Sequence, residues 1–446
     1  MLILLLAWMV PFLAAASHAL TLDEALTLAK ENLPSYKAAM IRVKSTEALY
    51  QASLGPYLPS LDASTNHQRI YASSQELTSR NYELTLSYTL FDGGKRRASR
   101  NISLLNLGTD REELRKNLLD LEYNVKVAFY TAMAQKEVLD QRSTQLKDAQ
   151  KDYDVAEGRY KAGVAKISDR LQASVRLEQA RYNLVQAEGD LKKSLSDLHS
   201  LTGVPLDSPY SLQGSLEADT SLPGRDKLSE AALQRPEVKQ AESALKISEN
   251  NRASALSSFF PVVSASATYT KTGGSAFGAG TSGTSGIPGA GAGAPGAGAL
   301  PGTTGSGSST GFFPEQKAIG ITVTWNIFEL GKFFRYKSSR LEKEVSAEKA
   351  SDIKRQLLLG VHKTYEDFVT ASNQLGVAQQ QLKQAEYNYA QALGEYKAGK
   401  ADILSLVQAE SLLATAREQL TNSRLNIMLS RSLIEKTAGI LRTSLP

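Results

Sequence analysis

The sequence predicts an α+β fold that is mostly α and contains an internal duplication. Three observations lead to this prediction. A segment recurs in the second half of the chain, four short runs alternate apolar with polar residues, and two long runs contain no proline. Alternation with period two is typical of half-exposed strands, and long proline-free runs with apolar residues at three- and four-residue spacing are typical of helices. Each copy is therefore predicted to contain helix, strand, loop, strand, very long helix, turn and return helix.

The duplication is clearest around the sequence Tyr-Lys-Ala-Gly. Residues 157–181 and 393–417 share twelve identical positions at a constant offset of 236. Further upstream, Pro34 corresponds to Pro236 at an offset of 202. The change in offset requires an insertion in the second copy, and the Gly-, Ser-, Ala- and Pro-rich segment 273–311 supplies it. Such a composition buries too little apolar surface to form a packed core, so we expect this segment to be mobile. It connects two predicted strands at the end opposite the long helices, so we expect it to be an extracellular loop.

These patterns predict the boundaries of each part of the chain. A signal peptide at 1–19 precedes a first copy at 20–202, a linker at 203–227 and a second copy at 228–446. The elements of the first copy are strands at about 61–70 and 81–91, a long helix at about 95–158 and a return helix at about 168–200. Those of the second copy are strands at about 262–271 and 318–328, a long helix at about 332–394 and a return helix at about 402–438.

The N-terminal residues predict export from the cytoplasm. An apolar run ends in Ser17-His18-Ala19, which is a small-x-small cleavage pattern. A membrane anchor is the alternative, and the short run with Pro11 inside it argues against that reading. The basic residue that usually precedes such a run is absent, but cleavage after Ala19 remains the favoured prediction.

The predicted strands indicate contact with an outer membrane. Each is about ten residues long with one apolar face, which is the length that crosses the hydrocarbon layer when tilted. Phe91 and Gly94 correspond to Phe328 and Gly331 at an offset of 237, and these residues mark the two strand-to-helix junctions. Four strands cannot close a barrel, and lipid does not tolerate an open sheet edge. The chains must therefore associate.

Strand number and helix length together predict the assembly. Two associated chains would give eight strands with an interior filled by side chains, and three chains would give twelve strands around a passage. The helix at 95–158 would be about 95 Å long, which no compact domain needs and which a coiled coil does. We therefore expect a homotrimer with a 12-stranded outer-membrane β-barrel, four strands per chain, that is continued by a long α-helical coiled-coil periplasmic tunnel.

The repeated Tyr-Lys-Ala-Gly lies where each long helix ends and its return helix begins. Gly163 and Gly399 are predicted to take the left-handed conformation that caps a helix, and the preceding lysine complements the helix dipole. Capping does not require the tyrosines, so Tyr160 and Tyr396 are predicted to be exposed contact or closure residues. The simpler alternative is that all of these are solvated hairpin residues.

Composition argues against several functional classes. The chain has no cysteine and four widely separated histidines, so we expect no metal site. No nucleophile–base grouping or paired acid site occurs at a plausible spacing, so we expect no catalytic residues, no enzyme activity and no cofactor. The net charge of +5 is spread over interleaved acids and bases, which argues against a nucleic-acid partner.

The whole predicted mature chain resembles the TolC family of outer-membrane efflux proteins. The segments that carry the resemblance are LTLDEALTLAKENLP (20–34), YTLFDGGKRRA (88–98), RYKAGVAKISDRLQA (159–173), WNIFELGK (325–332) and EYKAGKADILSLVQAE (395–410). The resemblance implies a homotrimer in the outer membrane of a Gram-negative bacterium, extending into the periplasm. It also implies two partners, which are a periplasmic adaptor and, through it, an inner-membrane pump or ATP-driven type I secretion transporter.

The resemblance extends to the residues of the turns. It places Asp169 at the family's acidic gating position and Tyr396 at its gating tyrosine. Three family positions hold other residue types, with Ala401 in place of an arginine and Ser405 and Gln408 in place of acids. The residues that we expect at the periplasmic gate and adaptor contact are Tyr160, Gly163, Asp169, Tyr396, Gly399, Lys400 and Asp402.

Two other functions compete with an export channel. A periplasmic adaptor also carries a helical hairpin, but the duplicated pairs of membrane-length strands argue against it. A structural or surface-tethering coiled-coil protein of the envelope, without transport activity, is the main alternative. Single-channel conductance in planar bilayers distinguishes that alternative from a channel. The sequence does not reveal which substrate is exported or which adaptor and pump take part.

Overall fold

The computed structural model of the chain describes residues 19–72, 75–205, 211–217, 221, 223–275 and 315–441. Except for Ala19, the predicted signal peptide lies outside the described residues, and so does the predicted loop from residue 276 onward. Residues 273–275 belong to a strand, which corrects the predicted start of the loop. In the described part of the chain, no helix is both long enough and apolar enough to cross a membrane.

Within those ranges the elements follow the predicted order. The helices are α1 (Leu22–Asn32), α2 (Pro34–Ala52), α3 (Lys95–Lys161), α4 (Ile167–Thr202), α5 (Arg225–Ala232), α6 (Pro236–Ser257), α7 (Leu330–Lys397) and α8 (Ile403–Ala438). The strands are β1 (Ala19–Leu20), β2 (Ser60–Ala72), β3 (Gln75–Phe91), β4 (Ser211–Leu212), β5 (Val262–Ser275) and β6 (Glu315–Thr324). Pro34 and Pro236 begin α2 and α6, where proline costs no helical hydrogen bond.

The long helices and their return helices match in length between the two copies. α3 has 67 residues and α7 has 68, and α4 and α8 have 36 each. At about 1.5 Å per residue, each long helix measures about 100 Å. The observed ends of these helices lie within three residues of the predicted ones. The largest differences arise because α3 and α7 continue to the lysine before the turn. Both return helices end at a left-handed glycine, Gly203 and Gly439.

The strands β2, β3, β5 and β6 form one antiparallel sheet in that order. Leu86 of β3 pairs with Leu61 of β2 and with Ala267 of β5, and Ala267 pairs in turn with Ile319 of β6. The apolar side chains of β3 and β6 are exposed, namely Tyr82, Leu84, Leu86, Tyr88, Leu90, Ile319, Ile321 and Val323. The polar residues between those of β3 are half-buried. This distribution is the reverse of that in a water-soluble sheet.

The second strand of the second copy ends earlier than predicted. The sequence predicts a strand at about 318–328, whereas β6 spans Glu315–Thr324. The last residue of β6 pairs with the residue that follows Pro261, and proline has no N–H with which to continue the ladder. Trp325 instead donates its indole N–H to a backbone carbonyl at 3.1 Å. Phe328 therefore lies in a connecting segment before α7.

The chain folds as two compact units, and the candidate site lies in the first. That unit comprises Met1–Lys44, Thr109–Ala241 and Ala350–Pro446. One of its apolar clusters contains Leu26, Leu118 and Leu198 from the first copy. Another contains Val361 and Ile427 from the second copy. The core of this unit is therefore built from packed helices of both copies.

The predicted linker at 203–227 contains regular structure. β4 pairs in parallel with β1, so that Ala19 lies opposite Ser211. Leu20 and Leu212 are both buried in the apolar cluster of the first copy. α5 then begins at Arg225. Part of the linker is thus held by the segment that leads into α1.

The second unit, Ser45–Gly108 and Glu242–Lys349, contains the sheet and the strand-to-helix junctions. After β3, Asp92 accepts backbone hydrogen bonds from Gly94 at 3.1 Å and from Arg96 at 2.8 Å. Gly93 and Gly94 have φ of +68° and +91°, which favours glycine. The predicted tight junction after Phe91 therefore turns on two left-handed glycines.

The second junction differs from the first. Gly331 corresponds to Gly94 in the repeat, but it lies in the first turn of α7 and has no positive φ. Lys332 closes the junction by donating its ammonium to the carbonyl of Asn326 at 3.0 Å. The sequence correspondence of Gly94 and Gly331 therefore does not extend to the backbone conformation.

Candidate functional site at the helix turns

Both turns between a long helix and its return helix use the same backbone motif. Gly163 has a φ of +72° and Gly399 a φ of +74°. In each turn the glycine N–H donates to the carbonyl three residues earlier, and the next N–H donates to the carbonyl five residues earlier. These two bonds form a Schellman motif, which satisfies the last carbonyls of the long helix. The predicted left-handed conformation of both glycines is confirmed.

The two tyrosines of the repeated segment have different environments. Tyr160 is 38 % exposed, but Tyr396 is only 2 % exposed, so the predicted exposure of Tyr396 is wrong. Tyr396 packs in an apolar cluster with Ile403 and Leu406 of α8. The repeat could not reveal this difference, because it depends on which other helix covers each tyrosine.

Arg159 of α3 is the residue that covers Tyr396 of α7. Its guanidinium carbon lies 4.8 Å from the centre of the Tyr396 ring, and its Nη1 donates a short hydrogen bond to the Tyr396 carbonyl. The Tyr396 hydroxyl is buried and has no hydrogen-bond partner among the described residues. Burial raises the pKa of Tyr396, Asp169 and Asp152 act in the same direction, and Arg159 opposes them. The hydroxyl is therefore neutral near neutral pH.

Asp169 lies in the first turn of α4, where a carboxylate is favoured by the helix dipole. It is half-buried, and its Oδ1 accepts a hydrogen bond from Ser168 Oγ at 3.2 Å. Its charge contributes to the raised pKa of Tyr396. The structure thus brings the predicted gating pair close enough to interact electrostatically, although the chain forms no hydrogen bond to the Tyr396 hydroxyl among the described residues.

Lys400 and Asp402 lie in the second turn. Asp402 is the N-cap of α8, and its Oδ1 accepts from the Ser405 N–H at 3.1 Å and from Ser405 Oγ at 2.8 Å. The backbone bond, followed by the hydroxyl bond, lowers the pKa of Asp402. Lys400 is exposed and uses its backbone N–H in the Schellman motif. In the first turn the N-cap is Lys166, whose side chain makes no capping bond.

Replacement of Asp402 by alanine should lower the thermal stability of the protein, because the Ser405 N–H in the first turn of α8 loses its acceptor. Asp402→Asn keeps an acceptor oxygen and should recover most of that loss. Thermal unfolding followed by circular dichroism would measure both variants. An equal loss in both would show that the charge, rather than the capping bond, stabilises this turn.

Sequence reasoning missed a buried carboxylate near the turns. Glu410 of α8 is 6 % exposed, and its Oε2 lies 2.6 Å from Nη2 of Arg176 on α4. Acids interleaved with bases along a helix are usually solvated, so the sequence predicts no special environment for Glu410. Its position in the sequence could have predicted its burial. Leu406 lies four residues before it and Leu413 three residues after it, and both are on the buried face of α8.

The surroundings of Glu410 change its proton affinity. Burial raises its pKa to about 7, Arg176 opposes this shift, and the charges of Asp152 and Asp148 add to it. Burial also raises the pKa of Asp152 on α3. Across the described residues, no group of three or more potential protein ligands could hold a metal ion. Asp152 of α3, Arg176 of α4 and Glu410 of α8 thus form a charged cluster, in which the Glu410 carboxyl can gain or lose a proton near neutral pH.

A known protein family matches both halves of the chain. The model of the family described as outer membrane efflux protein matches residues 25–204 and 228–439. The chain belongs to the outer membrane efflux protein family. Both turns lie inside the matched ranges, and the resemblance to the TolC family is confirmed. The outer-membrane location predicted from the sequence agrees with this family.

Curated relatives of this family match part of the chain. The probable outer membrane lipoprotein SilC of Salmonella typhimurium is 25% identical over 240 residues, which cover 53% of this chain and 52% of SilC. The probable efflux pump outer membrane protein TtgC of Pseudomonas putida is 25% identical over 263 residues, 56% of this chain and 54% of TtgC. The chain thus spans about half the length of the curated relatives it matches.

Solved structures of family channels share the fold over nearly the whole chain. CusC superimposes with a TM-score of 0.75 over 94% of this chain and 91% of CusC, at 16% identity. VceC of Vibrio cholerae gives 0.75 over 94% and 96%, at 16% identity. CmeC of Campylobacter jejuni gives 0.74 over 94% and 85%, at 18% identity. At these identities the likeness establishes the fold, so the predicted α+β, mostly α architecture is confirmed.

Proposed function

We propose that the chain is an outer-membrane channel, the exit duct of an efflux or type I secretion system. The observation that carries this proposal is the sheet: the apolar residues of β3 are exposed while the polar residues between them are half-buried, and within the described residues β2 and β6 are its unpaired edges. In water, such a face and such edges would promote aggregation. In a bilayer, the face contacts lipid and the edges pair with neighbouring copies.

Three copies would close this sheet. Each chain contributes four strands, so a homotrimer makes a 12-stranded barrel with a passage, whereas eight strands would leave an interior filled by side chains. The trimer would lie in the outer membrane of a Gram-negative bacterium. Its paired long helices would continue the passage as a tunnel into the periplasm. No step in this function requires catalysis by the chain.

The partners follow from the need to bring substrate to the duct. A periplasmic adaptor would contact the turns, and an inner-membrane pump or ATP-driven transporter would drive transport through it. Exposed apolar side chains near the turns, Val164, Ile167 and Leu404, suit an adaptor contact. The relatives are named for antibiotic efflux, toluene efflux and pyoverdine export, so no single substrate class is favoured.

Reconstitution tests the proposed function. Purified protein in planar bilayers should give discrete single-channel currents, and light scattering of the detergent-solubilised protein should give the mass of three chains. A structural or tethering coiled-coil protein would give no currents. Absence of conductance from a folded trimer would overturn the channel, and a monomer or dimer would overturn the barrel.

The turns would form the closed end of the tunnel. Three copies of Asp169 near one axis repel each other, so closure needs nearby cations or hydroxyls, and Lys166, Arg170 and Lys400 are available. An exposed ion pair contributes less than about 1 kcal/mol, so a few such pairs can open without loss of the fold. Tyr396 would complete the closure from its buried position beside Arg159.

Tyr396→Phe combined with Asp169→Ala should raise single-channel conductance and sensitise cells to large antibiotics, with the yield of trimer unchanged. The Tyr396 hydroxyl has no partner among the described residues of one chain, so its loss should not destabilise the monomer fold. A matched control is Tyr387→Phe with Asp190→Ala, which removes the same groups away from the turns. Equal conductance in wild type and double variant would show that these residues are not the gate.

A further inference from the structure

Each strand of the sheet carries one exposed basic residue toward the end that lies away from the strand-to-helix junctions. We call these four residues the basic row, and they are Arg69 of β2, Arg80 of β3, Lys271 of β5 and Lys317 of β6. The sheet is antiparallel, so residues early in β3 and β6 lie at the same end as residues late in β2 and β5. The row therefore crosses the whole sheet at one end.

The register of the strands places the row on one face. Residues directly opposite each other on antiparallel strands share a face of the sheet, and so do residues two apart on one strand. Lys271 lies opposite Tyr82, two residues after Arg80. Lys317 lies opposite Tyr269, two residues before Lys271. The row thus lies on the face of Tyr82, where the apolar residues of β3 are exposed.

Consecutive members of the row are diagonal neighbours. Arg69 lies opposite Thr78, two residues before Arg80 on the same face. Diagonal neighbours on adjacent strands lie about 7–8 Å apart, and this arrangement keeps the like charges from lying directly opposite each other. A phosphate oxygen accepts a charge-assisted hydrogen bond at about 2.8 Å, so one phosphate group can bridge two cations at this spacing. The spacing of the row therefore suits phosphate groups.

The row lies at one edge of the apolar face. On β3 this face runs from Arg80 to Leu90 through a series of exposed apolar side chains. That is about ten residues, or about 33 Å along the strand. A strand tilted by about 45° spans about 23 Å of membrane over this length, which matches an apolar band about 25 Å tall. With Leu90 at one boundary of the hydrocarbon layer, Arg80 reaches the other boundary.

Two tyrosines mark the same boundary. Tyr82 lies opposite Lys271, and Tyr269 lies opposite Lys317. The Lys317 ammonium is 5.9 Å from the centre of the Tyr269 ring, within the range of a cation–π contact. Tyrosine is favoured at a membrane surface because one end of its ring meets hydrocarbon and the other meets water. These rings therefore suit a position of the row at the level of the lipid headgroups.

The described carboxylates neutralise only part of the row. Lys271 Nζ lies 3.3 Å from Glu315 Oε1. Arg80 and Lys317 are exposed, and neither forms an ion pair with a residue that the structure describes. His67 lies directly opposite Arg80, where its ring can supply a further hydrogen-bond donor. Two cations beside an apolar surface are thus available to an anionic partner.

We propose that the basic row binds the phosphate groups of lipopolysaccharide, the anionic lipid of the outer leaflet. In that lipid the phosphates are attached to sugars directly above the acyl chains, as the row lies directly above the apolar face. Basic side chains near a membrane surface attract anionic headgroups. A free phosphate ion would use the cations but not the apolar residues beside them. The inference rests on the proposed function for the membrane and for the end of the sheet that faces outward.

Native mass spectrometry of the detergent-solubilised protein tests the site, with bis-phosphorylated lipid A and the same lipid without phosphates as probes. The wild type should bind the phosphorylated lipid more tightly, and added NaCl should reduce the difference. Arg80→Gln combined with Lys317→Gln should weaken binding of phosphorylated lipid A about thirtyfold, because two cations are lost. Equal affinity of the wild type for both lipids would overturn the proposal.

Two control variants separate the row from the overall charge. Arg80→Lys with Lys317→Arg keeps both charges and should bind lipid A like the wild type. Arg97→Gln with Lys337→Gln removes one exposed arginine and one exposed lysine from helices of the same unit, and should also bind like the wild type. An equal loss in this pair would show that total charge attracts the lipid. Displacement of lipid A by inorganic phosphate would show a site for the free ion, and either result would refute the lipid site.

Conductance separates this inference from the proposed function. The glutamine double variant should conduct like the wild type in bilayers without lipopolysaccharide, since the row lies on the lipid-facing side of the sheet. Discrete currents together with equal affinity for the two forms of lipid A would overturn the lipid site and leave the channel standing. A preference for phosphorylated lipid A in a protein that gives no currents would support the lipid site and overturn the channel.

Discussion

The stability of the protein should fall as the pH rises from about 4.5 to about 7, and Glu410→Gln should remove most of that fall. Burial raises the pKa of Glu410 from 4.5 in the unfolded chain to about 7 in the fold. The folded form therefore binds this proton more tightly than the unfolded form. Its contribution to stability is complete below about pH 4.5 and is lost as the pH rises through about 7.

The expected size follows from the pKa difference. A pKa shift of this size changes the contribution of Glu410 to the free energy of unfolding by about 3 kcal/mol between the two ends of the pH range. Glutamine resembles the protonated carboxyl in shape and carries no charge. The variant should therefore match the wild type near pH 4.5 and be more stable near pH 8. Other carboxylates titrate in the same range, so the difference between variant and wild type is the quantity to follow.

Thermal unfolding by circular dichroism across this pH range, on the detergent-solubilised protein, measures the difference. Glu386→Gln removes an exposed carboxylate from α7 and serves as the control, for which a small and nearly constant difference is expected. If the Glu410 variant also differs from the wild type by a constant amount, the Arg176 pair outweighs burial and Glu410 stays ionised throughout.

Gly93→Ala should destabilise the second unit more than Gly94→Ala. Both glycines have a positive φ, so alanine costs about 1–2 kcal/mol at either position. At Gly93 a Cβ would also lie 2.8 Å from the Ser257 carbonyl oxygen and 2.9 Å from Phe260 Cβ, whereas at Gly94 it would meet nothing within 4 Å. A backbone oxygen cannot move aside cheaply, so overpacking adds about 1–3 kcal/mol at Gly93 alone.

Urea unfolding of both variants, with the yield of folded protein, would compare them. The adjacent glycine is a close control, because the two positions share the same turn and nearly the same strain. Equal losses in the two variants would mean that the segment at Ser257 shifts to admit the new methyl group.

Local features of this chain were predictable from the sequence, and features that join the two copies were not. Gly163 and Gly399 were assigned correctly because a helix cap depends on the few residues around it. Tyr396 was assigned wrongly because its burial depends on Arg159, which lies 237 residues away in the chain. Likewise, the sequence alone predicts that Glu410 is solvated, because its contact with Arg176 of α4 exists only in the folded chain.

The sheet shows the same limit. Alternation in β3 predicted its two faces, and the structure has them as predicted. The end of β6 was misplaced because the apolar pattern continues through Trp325 and Ile327, whereas pairing stops opposite Pro261. The periodicity of a strand describes its side chains, but its length also depends on the hydrogen-bonding capacity of the neighbouring strand.

The matched lengths of the two hairpins restrict which insertions and deletions the chain tolerates. One residue inserted in α3 before Arg159 would rotate that side chain by about 100° around the helix and away from Tyr396. An insertion of one heptad would restore the facing side but would carry the turn about 10 Å further along the axis. α4, α7 and α8 would then need the same addition for Arg159 to meet Tyr396 again. We therefore expect these helices to change in length by whole heptads and in all four helices at once. Other insertions and deletions are expected in the connecting segments.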